Sequence, residues 1–172
     1  MLKLLGSILI VGASAALGLA VRQHAVVKVR VLAEWIDCIN LLILEIGQRN
    51  IPLQEAFLVI AGSRNRLVGP FFYELSKQIS GLPVYDFSMI WRKSLKRFWE
   101  DWGLQQEEQE ILLGIAEYLG RYDSAAQTQC LETAMLRLRA CRDHTADELR
   151  SNKSLYRTCG AAAGILLVLV LI

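Results

Sequence analysis

The chain has 172 residues, 53% of them hydrophobic, with 19 Lys and Arg against 17 Asp and Glu and a formal charge of +2. That near-balance offers no dominant counterion-releasing patch and argues against a nucleic-acid partner. Four scattered cysteines (Cys38, Cys130, Cys141, Cys159) form no Cys-x-x-Cys, so buried small hydrophobes in a reducing compartment are expected rather than zinc or a disulfide framework.

The hydrophobic excess sits largely at the two ends. Leu4 to Val21 is an uncharged run at the lower limit for a spanning helix. Two readings fit it. A cleaved signal peptide would use Lys3 as its n-region and Ala13-Ser14-Ala15 as its cleavage site. An uncleaved anchor is favoured, because apolar residues continue past the small cluster through Leu17, Leu19 and Val21. At the other end, Thr158 to Ile172 carries no charge and no proline. Fifteen helical residues reach only about 22 Å, and Lys153, Tyr156 and Arg157 can extend the span through the interface. The expected organisation is therefore an N-terminal transmembrane helix (1–21), a helical domain (22–157) and a C-terminal transmembrane helix (158–172). Arg22, Lys28, Arg30, Lys153 and Arg157 flank the spans on the domain side, which by the positive-inside rule puts the domain in the cytoplasm.

Inside the domain, Val29, Leu32, Ile36, Ile39, Ile43 and Ile46 recur at spacings of three and four, with Arg30, Glu34, Asp37 and Asn40 opposite. This predicts an amphipathic helix over 26–47. Asn50-Ile-Pro52 opens a second helix, with proline in its first turn and Leu53, Ala56, Phe57 and Ile60 inward. A third, from Leu67 or Pro70 to Ser80, buries Phe71, Phe72, Leu75 and Ile79. Asp86 is a plausible N-cap for a fourth, in which Trp91, Leu95, Phe98 and Trp102 share one face. Arg92, Lys93, Lys96 and Arg97 give that helix a basic side, a candidate partner surface for acidic lipid headgroups or an acidic protein.

The fifth helix starts with Glu107, Glu108 and Glu110, where carboxylates meet the positive end of the macrodipole, and stops at Gly120. Asp123 caps a sixth. Between it and Cys159 there is no glycine or proline, so that helix can run unbroken into the membrane over roughly 75 Å. No alternating apolar pattern suggests a strand. The expected fold is all-α, a six-helix bundle-like domain flanked by the two spans.

Signals for chemistry are weak. No phosphate-binding glycine loop and no His-x-x-x-His pair is present. The acidic trio reads as helix capping, His24 as a membrane-flank residue and His144 as a helix-face residue. An enzyme using Glu45 and Asp123 is the weaker alternative; Asp123 is expected as a cap and Glu45 as a surface or interface residue. No cofactor, metal or small-molecule substrate is expected. Gly160 and Gly164 fit the Gly-x-x-x-Gly spacing, and Gly12, Ala16 and Ala20 form a small-residue stripe, so both spans carry candidate helix-packing faces.

Several short pieces, taken in order, carry a resemblance over essentially the whole chain. They are Met1-Leu-Lys-Leu-Leu-Gly6, Leu44-Glu-Ile46, Pro52-Leu53 with Ala56, Trp91 with Ser94-Leu-Lys96 and Trp99, Leu119-Gly120 with Asp123 and Gln127, and Tyr156-Arg157 before Gly160 and Gly164. On these the chain resembles the stage III sporulation protein AB family of endospore-forming bacteria. Ile51 departs from the threonine that the family often has before the proline. The resemblance marks Glu45, Pro52, Trp91, Asp123 and Gln127 as candidate structural motif residues. It implies a domain similar to the inner-membrane platform proteins of type II secretion and type IV pilus systems. It also implies a non-enzymatic role in the mother-cell membrane, within the complex linking mother cell and forespore. The implied partners are a secretion-type ATPase, other stage III sporulation membrane proteins and membrane lipid. A signal-processed helical binding module outside the cytoplasm is the competing reading.

Overall fold

The computed structural model describes the backbone of residues 2–79, 87–120 and 123–171, and the side chains of residues 22–79, 87–120 and 123–151. The described residues form six α-helices and no strand: α1 (Leu2–Ile43), α2 (Leu53–Ala61), α3 (Gly69–Gln78), α4 (Phe87–Trp102), α5 (Gln106–Tyr118) and α6 (Ser124–Leu171). A π-helical segment, Leu44–Gln48, ends α1.

The expected N-terminal span and first domain helix are one continuous helix. α1 covers 42 residues, because no proline or turn signal separates Val21 from Val26. α6 runs unbroken for 48 residues, as the lack of glycine and proline after Asp123 predicts, and Gly160 and Gly164 do not interrupt it. α1 and α6 pack against each other and run antiparallel. The π-segment at the end of α1 touches the start of α6, where Ser124 Oγ donates to the Ile46 carbonyl at 3.2 Å. Among the described residues no helix is long and apolar enough to cross a membrane. The expected spans, with Gly12, Ala16, Ala20, Gly160 and Gly164, lie outside the residues whose side chains are described, as does Asp86.

The core is aromatic. Trp35 on α1 is fully buried and lies 5.3 Å from Phe71, 5.4 Å from Phe72, 6.1 Å from Trp91 and 5.5 Å from Trp102, ring centre to ring centre. It thus joins α1 to α3 and α4. Phe57 brings in α2 through Phe72 and Phe87. Offset and edge-on pairs of this kind add to the area they bury. The face of α1 that meets this core is wider than the predicted seam. Val31, Leu32, Trp35, Ile36, Cys38, Ile39 and Leu42 are buried, while Val29 and Ile43 are only half-buried at its margins. A helix packed against several neighbours needs a broad stripe, not a two-position coiled-coil seam.

Helix ends are fixed by identifiable contacts. Gly103 and Gly120 end α4 and α5 with φ of 63° and 76°, a region that glycine enters without a Cβ clash. Gln105 and Glu108 form a capping box at the start of α5. Pro52 stands at the N-cap of α2, one place before the first turn expected for it, because its backbone is extended (ψ 144°). Glu34, expected on the solvent face of α1, instead accepts the backbone N–H groups of Leu67 and Val68 at 2.7 and 2.9 Å. It places a carboxylate at the N-terminus of α3, the favourable end of that helix dipole.

Candidate partner surfaces

The basic quartet of α4 divides by function. Arg92 pairs with Glu117 on α5 at 3.2 Å, and Arg97 pairs with Glu74 on α3. These positions are five apart, so the two arginines leave the helix on opposite shoulders, one tied to each neighbour. Lys93 and Lys96 are exposed between them and have no ion-pair partner among the described residues. Met89, one turn before Lys93, is 64% exposed. Beneath this crest Trp91 is buried, and its indole N–H donates to the Leu112 carbonyl at 2.9 Å, locking α4 onto α5.

A second cluster lies at the end of the domain where α1 meets α6. Glu45, expected as a surface or interface residue, is 4% exposed. It continues the buried stripe of α1, three residues past Leu42 and seven past Cys38. Its carboxylate accepts from Arg49 at 2.9 Å, and that arginine is itself mostly exposed. Asn50 follows with φ of 52°, a left-handed conformation that asparagine tolerates better than most residues. Gly47 lies so close to α6 that a Cβ there would be 3.0 Å from Thr128 Oγ1. On the α6 side, Asp123 Oδ1 accepts from the Ala126 N–H at 3.1 Å and Gln127 Oε1 from the Gly120 N–H at 3.3 Å. The structure thus brings Glu45, Asp123 and Gln127 to one end of the bundle, with Pro52 on the loop that leaves it. Trp91 stands apart, in the core under α4.

At the opposite end of the bundle, sequence reasoning missed a buried ion pair. Lys28 Nζ lies 2.7 Å from Glu108 Oε1, with both side chains under a tenth exposed. Glu108 Oε2 also accepts the Gln105 N–H at 2.6 Å. Lys28 is therefore not a free charge flanking the N-terminal apolar run; Arg22 and Arg30 remain exposed there. The signal was available as a lysine one turn before the buried Val31 and Leu32, but nothing in the sequence pairs it with α5.

No cluster of three or more His, Cys, Asp or Glu that could hold a metal occurs among the described residues. Burial pushes the Cys38 thiol from 9.0 to about 12, against a smaller opposing effect of the hydrogen bond from Asn65. Burial also raises the half-buried Cys130 and Cys141, leaving these thiols poor nucleophiles. A groove of about 430 Å³ between α5 and α6 has Gly114, Ala126, Cys130 and Ala134 among its lining residues. It is shallow and carries no convergent set of reactive groups. His144 and Glu148 are both exposed and 3.9 Å apart.

Residues 3–172 match the family described as stage III sporulation protein AB. The chain is 28% identical, over 171 residues and 99% of each sequence, to the stage III sporulation protein AB of Bacillus subtilis (strain 168). No solved structure matches. With a family match over nearly its full length, the chain belongs to the stage III sporulation protein AB family, and its role is in sporulation.

Proposed function

We propose that the protein is a membrane-embedded assembly platform of a secretion-like complex between mother cell and forespore, anchored through residues 1–21 and 158–172 in the mother-cell membrane. Its helical domain faces the cytoplasm and engages a secretion-type ATPase there, while the spans pack against other stage III sporulation membrane proteins through Gly12, Ala16, Ala20, Gly160 and Gly164. Its role is structural, not catalytic, in keeping with the platform-type domain that the family resemblance implies.

One arrangement supports this reading above the others. α1 and α6 are antiparallel and packed together, so the helix ends that carry the two apolar segments leave the domain on the same side. Two spans side by side anchor a domain on one face of a bilayer, and apart from the first N–H groups of α1 and the last carbonyls of α6 their backbone polar groups are satisfied within the helix. Family membership supplies the sporulation context.

The test is an accessibility map of the full-length protein in intact cells. Single cysteines replace Ser7, Ser80 and Ser151 in a background without the native cysteines, and an impermeant thiol reagent is applied before and after permeabilisation. Positions 80 and 151 should label only after permeabilisation. Labelling of both in intact cells would put the domain outside and exclude a cytoplasmic ATPase. Loss of residues 1–21 from the mature chain would favour the signal-processed binding module.

A further inference from the structure

The division of the α4 charges has a consequence for what this face can bind. An arginine held by a carboxylate of the next helix fixes the bundle and offers little net charge to a partner. Arg92 and Arg97 are in that position. Lys93 and Lys96 are not; with Met89 they follow the spacing of one helical stripe, at intervals of four and three. On the α3 side, beyond the Arg97–Glu74 pair, Tyr73 is half-exposed and Lys77 Nζ sits 4.1 Å above its ring. The outward surface of α3 and α4 thus combines three cations outside any ion pair among the described residues with two large exposed side chains, Tyr73 and Met89; exposed Glu100, four residues past Lys96 on the same stripe, offsets one of these charges and leaves the surface net positive. Aromatic residues and methionine are enriched in protein interfaces, and unpaired positive charge selects for acidic complements.

We infer that the crest of α4, with the adjoining edge of α3, is the docking surface for an acidic, apolar-studded segment of a partner protein. Lys93 and Lys96 recognise its carboxylates, and Met89 and Tyr73 cover its apolar side chains. The inference rests on the reading of this domain as a partner-binding module and names the chemistry of the partner. Lipid is the less suitable occupant. Trp91 bonds to Leu112, one turn beyond Glu108, and Glu108 pairs with Lys28, itself seven residues past the first apolar run. Counted along the helices, Trp91 stands roughly 16 Å from the end of that run, while Lys96, five residues nearer the start of α5, stands roughly 9 Å from it. A headgroup field that decays over ~8 Å at physiological salt therefore reaches the Lys96 end of the crest and leaves Lys93 and Met89 largely outside it, so lipid would engage only part of this surface.

The experiment uses the full-length chain in phosphatidylcholine nanodiscs. The probe is a fluorescein-labelled, alanine-based helical peptide with glutamates and leucines on one face, and its control has glutamine in place of glutamate. Binding is followed by anisotropy at low and high salt. The glutamate peptide should bind more tightly than the control and weaken with salt. Lys93→Glu with Lys96→Glu should reduce its affinity about tenfold or more, and the milder pair Lys93→Gln with Lys96→Gln should give an intermediate loss. Arg92→Gln should leave affinity nearly unchanged, since its charge is already matched. Equal binding of the two peptides, or no effect of the lysine variants, would overturn the proposal. So would a result in which the lysine variants alter only retention of phosphatidylglycerol vesicles, which would make the crest a lipid surface. The binding assay and the topology map are independent. Either can fail while the other stands.

Discussion

At Lys28 and Glu108, two charges are removed from water almost completely, and each is the other's only charged partner in the ion pairs found among the described residues. Breaking such a pair from one side is costly because the remaining charge stays buried. Glu108→Ala should therefore lower stability by about 3–5 kcal/mol, read as the urea midpoint of tryptophan fluorescence in detergent. Replacing both partners, as Lys28→Met with Glu108→Leu, should recover most of that loss, less what the capping box contributes. If the double variant were as unstable as the single one, the pair would not be the source of the effect. Cys38 gives a pH prediction with the opposite chemistry. Its thiol is held protonated in the folded state to about 12, while in the unfolded chain it ionises near 9.0. Between those values the folded state binds the extra proton, so its contribution is fully present below pH 9 and declines by about 1.4 kcal/mol for each unit above it. Cys38→Ala should flatten the alkaline limb of a stability–pH curve. The native thiol should also resist alkylation at pH 8 until the domain unfolds.

At the level of elements, the helices were readable because their signals are local: apolar residues at three and four, an aspartate before α6, and glycines with positive φ after α4 and α5. What was not readable depends on contacts between elements. The stretch Leu44-Glu-Ile-Gly-Gln48 has an ordinary helical pattern, and its π geometry follows from packing against the start of α6. For the same reason Glu34 looks like a solvent residue in the sequence and turns out to cap a distant helix, and Glu45, readable only as a surface or interface residue, turns out to be buried beside Arg49. Trp35, the hub of the core, sits outside the seam that the periodicity picks out. Of the partner surface, the basic face was legible, but its division into ties and free lysines needed the positions of Glu74 and Glu117. The close approach at the π-turn is itself testable. A methyl at position 47 must displace Thr128 Oγ1, which now donates to the Ser124 carbonyl at 2.8 Å. Gly47→Ala alone should therefore fail to deliver the stabilisation of up to about 1 kcal/mol that alanine brings to a helix. In a Thr128→Ala background the obstruction is gone and the gain should appear. A double-mutant cycle in thermal melts should show a coupling of about 0.5–1 kcal/mol; strict additivity would mean that the approach is not tight.

For the whole molecule, the consequential feature is that the last helix belongs both to the domain and to the apolar C-terminal segment. α6 packs against α1 and α5 inside the domain and continues without a break to Leu171. A helix of 48 residues is about 72 Å long, and kinking it sharply requires breaking backbone hydrogen bonds, so it is stiff enough to carry movement of the domain to the segment beyond it. If the platform role depends on that stiffness, a kink placed just outside the domain should uncouple the two without unfolding either. Ser151 is suited to this, being exposed and one and a half turns past Thr145, which is buried. Proline there removes one hydrogen bond and clashes with the preceding turn, at about 3 kcal/mol within the helix. The domain core lies elsewhere, so the tryptophan melting curve of Ser151→Pro should match that of Ser151→Ala, and both proteins should fractionate with membranes alike. The difference should emerge in the cell, where the proline variant yields far fewer heat-resistant spores than the alanine variant. Equal spore counts with the kink in place would show that α6 is only a tether, and would leave anchoring as its sole contribution.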